Sequence, residues 1–286
     1  MTAEGWRPLG TRQPTALLDA RLQLHHAAQL AAAAGATFLP ARPDDSHPNL
    51  GWVDGLDALV GHAIPGPPAF QVGLHVADLR LLVRGGDGRT ADLTLEGRTL
   101  REAGAWLSGA IARYGVRLPA GGVTPPRYEL PHHPVAVGAA FDPDPAACAE
   151  LARWFADGHA VLADLVPRLE GAQPARVWPH HFDLGTLTVV ERAPGGAVAR
   201  SIGIGLSPGD ESYAEPYWYV SPWPHPPQDA LPPPTSGRWH REGFVAAVLT
   251  ATELLSGPAA ARRRRLEGFL SESIAASRAS LGGSRA

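Results

Sequence analysis

The sequence predicts an α+β fold in which an antiparallel sheet is built from two helix–three strands–helix halves, with the helices largely on one face. Three observations carry this reading. Short extended runs separated by Gly-rich turns point to antiparallel hairpins, the helical segments stand apart from the strands with caps of their own, and the same order of elements occurs twice. One domain over residues 13–280 is expected, its halves (15–117 and 143–280) joined by a Pro-rich connector. The likeness between the halves lies in element order alone, and a further helix closes the second.

The first helix is predicted over 15–34. Thr15 suits its N-cap, and Gly35 suits the left-handed residue that ends it. Leu17, Leu24, Ala28 and Ala31 share one stripe, with His25 at its edge and His26 opposite. Residues 36–68 are rich in Pro, Gly and Asp and read as a long loop. Extended runs follow at 70–76, 79–83 and 91–95, the last two divided by Gly85-Gly86-Asp87-Gly88. Thr99 and Glu102 then form a capping box for a helix that buries Trp106, Leu107, Ala110, Ile111 and Tyr114 before Gly115 ends it.

The connector covers 118–143. Asp144 caps the next helix and Pro145 takes its first position, where the missing N–H costs nothing. Leu151, Trp154, Phe155, Leu162 and Leu165 make its apolar stripe, and Pro167 ends it. Strands are predicted at 176–190, 197–206 and 216–220, followed by a loop with seven prolines between Pro222 and Pro234. Two last helices are expected at 242–255 and 258–277.

Composition excludes several classes of function. Of 286 residues, 25 are basic and 28 acidic, so the net charge of -3 offers no general field for nucleic acid. Hydrophobic residues make up 44% and charged residues 19%, which excludes a disordered chain. The single Cys cannot form an internal disulfide and points to a reducing compartment. No secretory signal is legible, and the most apolar stretch, 27–40, falls short of the ~20 residues a membrane span needs. Every basic residue is Arg and Asn occurs once, a mark of high-GC coding. A soluble cytoplasmic bacterial protein is expected, with no nucleic-acid or membrane partner. A homo-oligomer and a small-molecule ligand stay open.

The chemistry concentrates between Trp178 and His240, which hold four of the eight Trp, three of the five Tyr and four of the twelve His. Three clusters stand out there: Trp178-Pro-His-His-Phe-Asp183, Ser207-Pro-Gly-Asp-Glu211 and Glu215-Pro-Tyr-Trp-Tyr-Val220. On a strand, His181 and Asp183 share a face, where the carboxylate can orient the imidazole or both can hold a cation. Ser207-Pro-Gly-Asp has the form of a type II turn that projects Asp210 and Glu211. Glu215, Tyr217 and Tyr219 share a strand face.

If these strands are neighbours, His181, Asp183, Asp210, Glu211 and Glu215 converge at one end of the sheet. Carboxylates gathered without nearby bases repel, and a divalent cation (Zn, Mn, Fe or Mg) or a shared proton relieves that. His181, Asp183 and Asp210 are its candidate ligands, while Tyr217 and Tyr219 are orienting donors and His180 and His240 are reserves. The aromatic residues would wall a small-molecule pocket, with the Pro-rich loop over it. Metal-assisted hydrolysis or acid/base catalysis is the leading expectation. The alternative is a non-catalytic binding module in which Trp178, Tyr217, Trp218 and Tyr219 grip an apolar ligand or partner.

These clusters, with Trp239-His240 downstream, resemble a family of uncharacterised bacterial proteins, a domain of unknown function. The likeness extends more weakly to Leu24-His-His-Ala-Ala-Gln29 and to Ser46-His47. It implies membership and a soluble bacterial origin, and no reaction. Other motifs fail. Gly203-Ile-Gly205 is not followed by a helix start, so it is no nucleotide fingerprint. A His181/Asp183 pair with His225 or His240 mimics a two-His, one-carboxylate iron set only in composition. Arg262 to Arg265 fan around a helix and are read as solvated, and Cys148 as a small apolar filler.

Overall fold

The structure, a computed structural model, describes residues 6–227 and 231–282. In chain order its regular elements are α1 (Leu18–Phe38), β1 (Leu50–Val53), β2 (Ala58–Gly61), β3 (Phe70–His75), β4 (Arg80–Gly85), β5 (Thr90–Thr94), α2 (Leu100–Ala112), α3 (Pro145–Leu165), β6 (Arg176–Trp178), β7 (Asp183–Arg192), β8 (Val198–Ser207), β9 (Tyr217–Trp223), β10 (Arg238–His240), β11 (Ala246–Thr250), α4 (Ala251–Leu255) and α5 (Ala259–Ser280). Helices accompany strands whose paired registers are antiparallel, so the α+β class holds. The chain divides into two compact units. Unit 1 comprises Met1–Thr15, Asp157–Ala175 and Leu184–Ala286, and unit 2 comprises Ala16–Ala156 and Arg176–Asp183. The division passes through α3, and the Pro-rich connector lies wholly inside unit 2.

Unit 2 carries the strand order β6-β1-β2-β3-β4-β5. The hairpins expected from the alternating runs are present: β3 pairs with β4 from Phe70↔Gly85 to His75↔Arg80, and β4 pairs with β5. The segment read as a long loop instead holds β1 and β2, paired from Leu50↔Gly61 to Val53↔Ala58 around a short 3-10 turn. Each is only four residues long and is buried over most of its length, so neither shows an alternation to read.

Helix α1 packs on β2, β3 and β4. It is buried nearly all round from Ala20 to Gly35, with His25 and His26 each only 4% exposed, so the predicted one-sided stripe is replaced by a fully enclosed helix. Gly35 does not end it. A Cβ there would lie 2.5 Å from the His47 carbonyl oxygen, so the glycine is needed for close approach of the 47–48 segment while the helix runs on to Phe38. Helix α2 starts as its sequence dictates: Thr99 and Glu102 form the reciprocal capping box, and Leu107, Ala110 and Ile111 are buried.

Unit 1 carries the order β10-β11-β9-β8-β7. Residues 242–255, expected as one helix, contain strand β11 and only the short α4. The Ala246–Leu249 run is fully buried between β10 and β9, and a continuous apolar run of that length suits a central strand as well as a helix. Thr250 then caps α4 with Glu253 in a second capping box. Helix α5 packs on β8, β9 and β11. Cys148 in α3 is buried, and burial pushes its thiol up to about 12, in keeping with an inert filler. No helix of the described residues is long and apolar enough to cross a membrane.

Candidate functional site

The Trp178–Asp183 cluster does not lie on one strand. Pro179 has no N–H to give a ladder, and the chain turns: the amides of His181 and Phe182 both donate to the Trp178 carbonyl, at 3.2 and 2.7 Å. Phe182 takes a φ of +59° and is buried, stacked on His25 with ring centroids 5.3 Å apart. The face shared by His181 and Asp183 is therefore lost, because alternation holds only along an extended backbone. His181 is exposed on this turn, its ring 4.3 Å from that of His180, and Asp183 opens β7. The turn belongs to unit 2, where the His25 ring reaches the Pro179 carbonyl at 2.8 Å and Gln29 donates to the same oxygen at 2.7 Å. Burial, above all, lowers His25 to about 4, and burial followed by the neighbouring His181 lowers His180. Tyr128 packs on His180 and donates its hydroxyl to Asp45.

The other candidates lie in unit 1, and most hold the scaffold. Gly209 takes a φ of +115°, as the turn reading requires. Asp210 accepts the Ser212 and Tyr213 amides at 2.8 and 2.9 Å through one oxygen and the Tyr217 hydroxyl through the other. Glu215 accepts the amide and hydroxyl of Thr252 at 2.7 and 2.6 Å, a carboxylate at the start of α4. Tyr219 covers Gly205, where a Cβ would fall 2.6 Å from the tyrosine oxygen; this explains Gly205 without a nucleotide. Glu211 is exposed.

A hydroxyl–imidazole pair does emerge, and half of it escaped the sequence reading. Tyr213 Oη lies 3.0 Å from His240 Nδ1, and His240 Nε2 lies 2.6 Å from the Glu242 carbonyl oxygen. A carbonyl only accepts, so in the neutral ring Nε2 carries the proton and Nδ1 receives the Tyr213 hydroxyl. Phe244 stacks on the imidazole at 4.1 Å, and the Arg238 guanidinium sits 5.4 Å above the Tyr213 ring. Tyr213 falls between the Ser207–Glu211 and Glu215–Val220 clusters, on a loop, and nothing in its local pattern marks it. His240 was legible only as a reserve. Tyr217 and Tyr219 lean on this group with ring spacings of 4.9 Å (Tyr213–Tyr217) and 6.3 Å (Tyr217–Tyr219).

Trp239 lies between Arg238 and His240 on β10 and so points the other way. It lines a cavity of about 1080 Å³ in unit 1, walled by Leu165 at the end of α3, Leu169 after it, Leu270 and Ile274 of α5, and Pro232–Pro234. The walls are pinned: Trp239 Nε1 donates to the Pro232 carbonyl at 2.8 Å, the Thr235 amide to Glu272 at 2.7 Å, and Arg263 to Asp164 and Glu267 at 2.8 Å each. The Ser273 hydroxyl is buried in the wall and has no partner among the described residues. Pro232–Pro234 of the Pro-rich loop line this cavity, which contains none of the carboxylates the loop was expected to cover; residues 228–230 of it lie outside the described residues.

Among the described residues, no three His, Cys, Asp or Glu side chains stand together so as to hold a metal ion. The cation expected at His181, Asp183 and Asp210 therefore finds no ligand group there: the first lies on a turn and the last is saturated by two amides and a hydroxyl. No protein-family model, curated protein or solved structure matches the chain.

Proposed function

We propose that unit 1 binds a small molecule with an apolar body and one hydrogen-bonding group, seated in the cavity between α3, α5 and the 232–235 segment. The observation that carries this reading is the cavity itself. Its volume of about 1080 Å³ lies at the upper end of small-ligand sites, and its lining is mostly apolar. The exposed Ser271 hydroxyl of α5, which belongs to the lining, supplies the polar contact. A fluorescent amphiphilic probe with an apolar aromatic body, anilinonaphthalene sulfonate, tests it. Saturable binding to the wild-type protein, lost in Ser271→Trp, which fills the cavity from an exposed lining position, is the expected result. An equal probe response in both proteins overturns it.

A second reading is favoured by the Tyr213–His240 pair, which has the parts of an acid/base centre: a hydroxyl, a base and a carbonyl that holds the base in one tautomer. Hydrolysis of 4-nitrophenyl acetate should then fall to the buffer rate in Tyr213→Phe and in His240→Gln. Unchanged rates would leave the pair structural. The bacterial family resemblance, a cytoplasmic setting and the absence of a nucleic-acid partner belong to the same proposal.

A further inference from the structure

Unit 2 holds a half-buried cation whose protein partners among the described residues are all neutral. Arg176, at the start of β6, donates its Nε to Asn49 Oδ1 at 2.8 Å, and its Nη2 lies 3.1–3.3 Å from the two nitrogens of His62. His62 in turn reaches Asn49 Oδ1 at 2.9 Å and the Ser46 carbonyl at 3.1 Å. Asn49 is only 3% exposed, so the frame that aims the guanidinium is rigid. Nη1 rests on Gly51, where a Cβ would lie 2.5 Å from it, and donates to no protein atom among the described residues. Arg42, exposed on the 42–47 loop, is near enough for its charge to act on His62, and its Nη1 reaches the Ser46 hydroxyl at 3.4 Å. The two acids of that loop are engaged elsewhere: Asp44 accepts the Ser46 amide at 3.1 Å and Asp45 the Tyr128 hydroxyl, with His47 Nδ1 3.7 Å from its other oxygen.

We propose that Arg176, His62 and Arg42 form a binding site for the phosphate group of a small molecule. A guanidinium has five N–H donors in a planar fork, and here Asn49 and His62 occupy one edge and leave Nη1 for the ligand. A cation taken out of water costs several kcal/mol unless an anion or strong acceptors accompany it, and Arg176 has neutral acceptors alone. Its charge also weighs on its neighbour: burial, then the Arg176 and Arg42 charges, lower His62, and burial alone lowers Arg176. An oxyanion reverses that repulsion. The site uses Ser46-His47, which the function proposed for unit 1 leaves unused.

The test is a titration of the full chain with inorganic phosphate at constant ionic strength, read by the nitrogen-15 signals of the His62 ring. Saturable shifts and a rise in the His62 pKa on binding are expected. Affinity should fall about tenfold or more in Arg176→Gln and in Gly51→Ala, which keeps the charge but displaces the guanidinium, and about threefold in the exposed Arg42→Gln. A wild-type protein whose His62 signals do not saturate, or an Arg42→Gln variant that binds unchanged, overturns the site. Acetate binding as tightly as phosphate overturns the phosphate assignment.

Discussion

His25 in unit 2 and His240 in unit 1 make the same first contact and have opposite consequences. Each ring places Nε2 against a backbone carbonyl, Pro179 at 2.8 Å and Glu242 at 2.6 Å. His25 is 4% exposed, stacked on Phe182 and held near 4 by burial, so it stays neutral and acts as a fastener for the 179–182 turn. His240 is partly exposed and its second nitrogen faces a tyrosine hydroxyl. What separates the two rings is the state of the second nitrogen and its access to water, which no His-x pattern encodes.

The comparison breaks most readily at His25. His25→Ala should lower stability by about 4 kcal/mol in urea unfolding, because it empties a packed ring site and removes one of the two donors to the Pro179 carbonyl, whereas His240→Gln should change it by less than about 0.5 kcal/mol. Acid gives the next largest effect. The folded His25 binds its proton later than the unfolded one, so the unfolded state takes up more protons as pH falls from 6.5 toward 4 and stability is lost across that window. The loss attributable to this ring approaches about 3 kcal/mol by pH 4, and His25→Gln should flatten that part of a melting-temperature profile. The smallest effect sharpens the view of unit 1: Asp210→Ala should cost about 2 kcal/mol by loosening two amides and Tyr217, with little change in probe binding at the α3–α5 cavity. A loss of probe binding there would tie the 210–217 loop to the ligand site.

Elements governed by local rules were legible. The capping box at Thr99, the Asp144-Pro145 helix start and the hairpin at 85–88 are all specified by neighbours within a few residues, so pattern and structure agree. Strands β1 and β2 were not, since four-residue strands buried on both faces carry no alternation. The 246–250 strand was taken for helix because its apolar run has no period of its own. The site residues divide in the same way. Asp210 and the Ser207-Pro-Gly turn were legible as a turn, but the strand face assigned to His181 and Asp183 dissolves where Pro179 breaks the ladder.

By itself the sequence determined the class of fold, the starts of α2 and α3, most helix positions and the aromatic, His-rich stretch from Trp178 to His240. Only the tertiary structure decided that Tyr213 meets His240 across 26 intervening residues, that Asp210 and Glu215 are spent on backbone amides, and that Gly51 makes room for a guanidinium. Caps and turns depend on bonds between near neighbours, which composition and spacing record. Pairings between distant segments depend on strand order and register, which the pattern of any one segment does not contain.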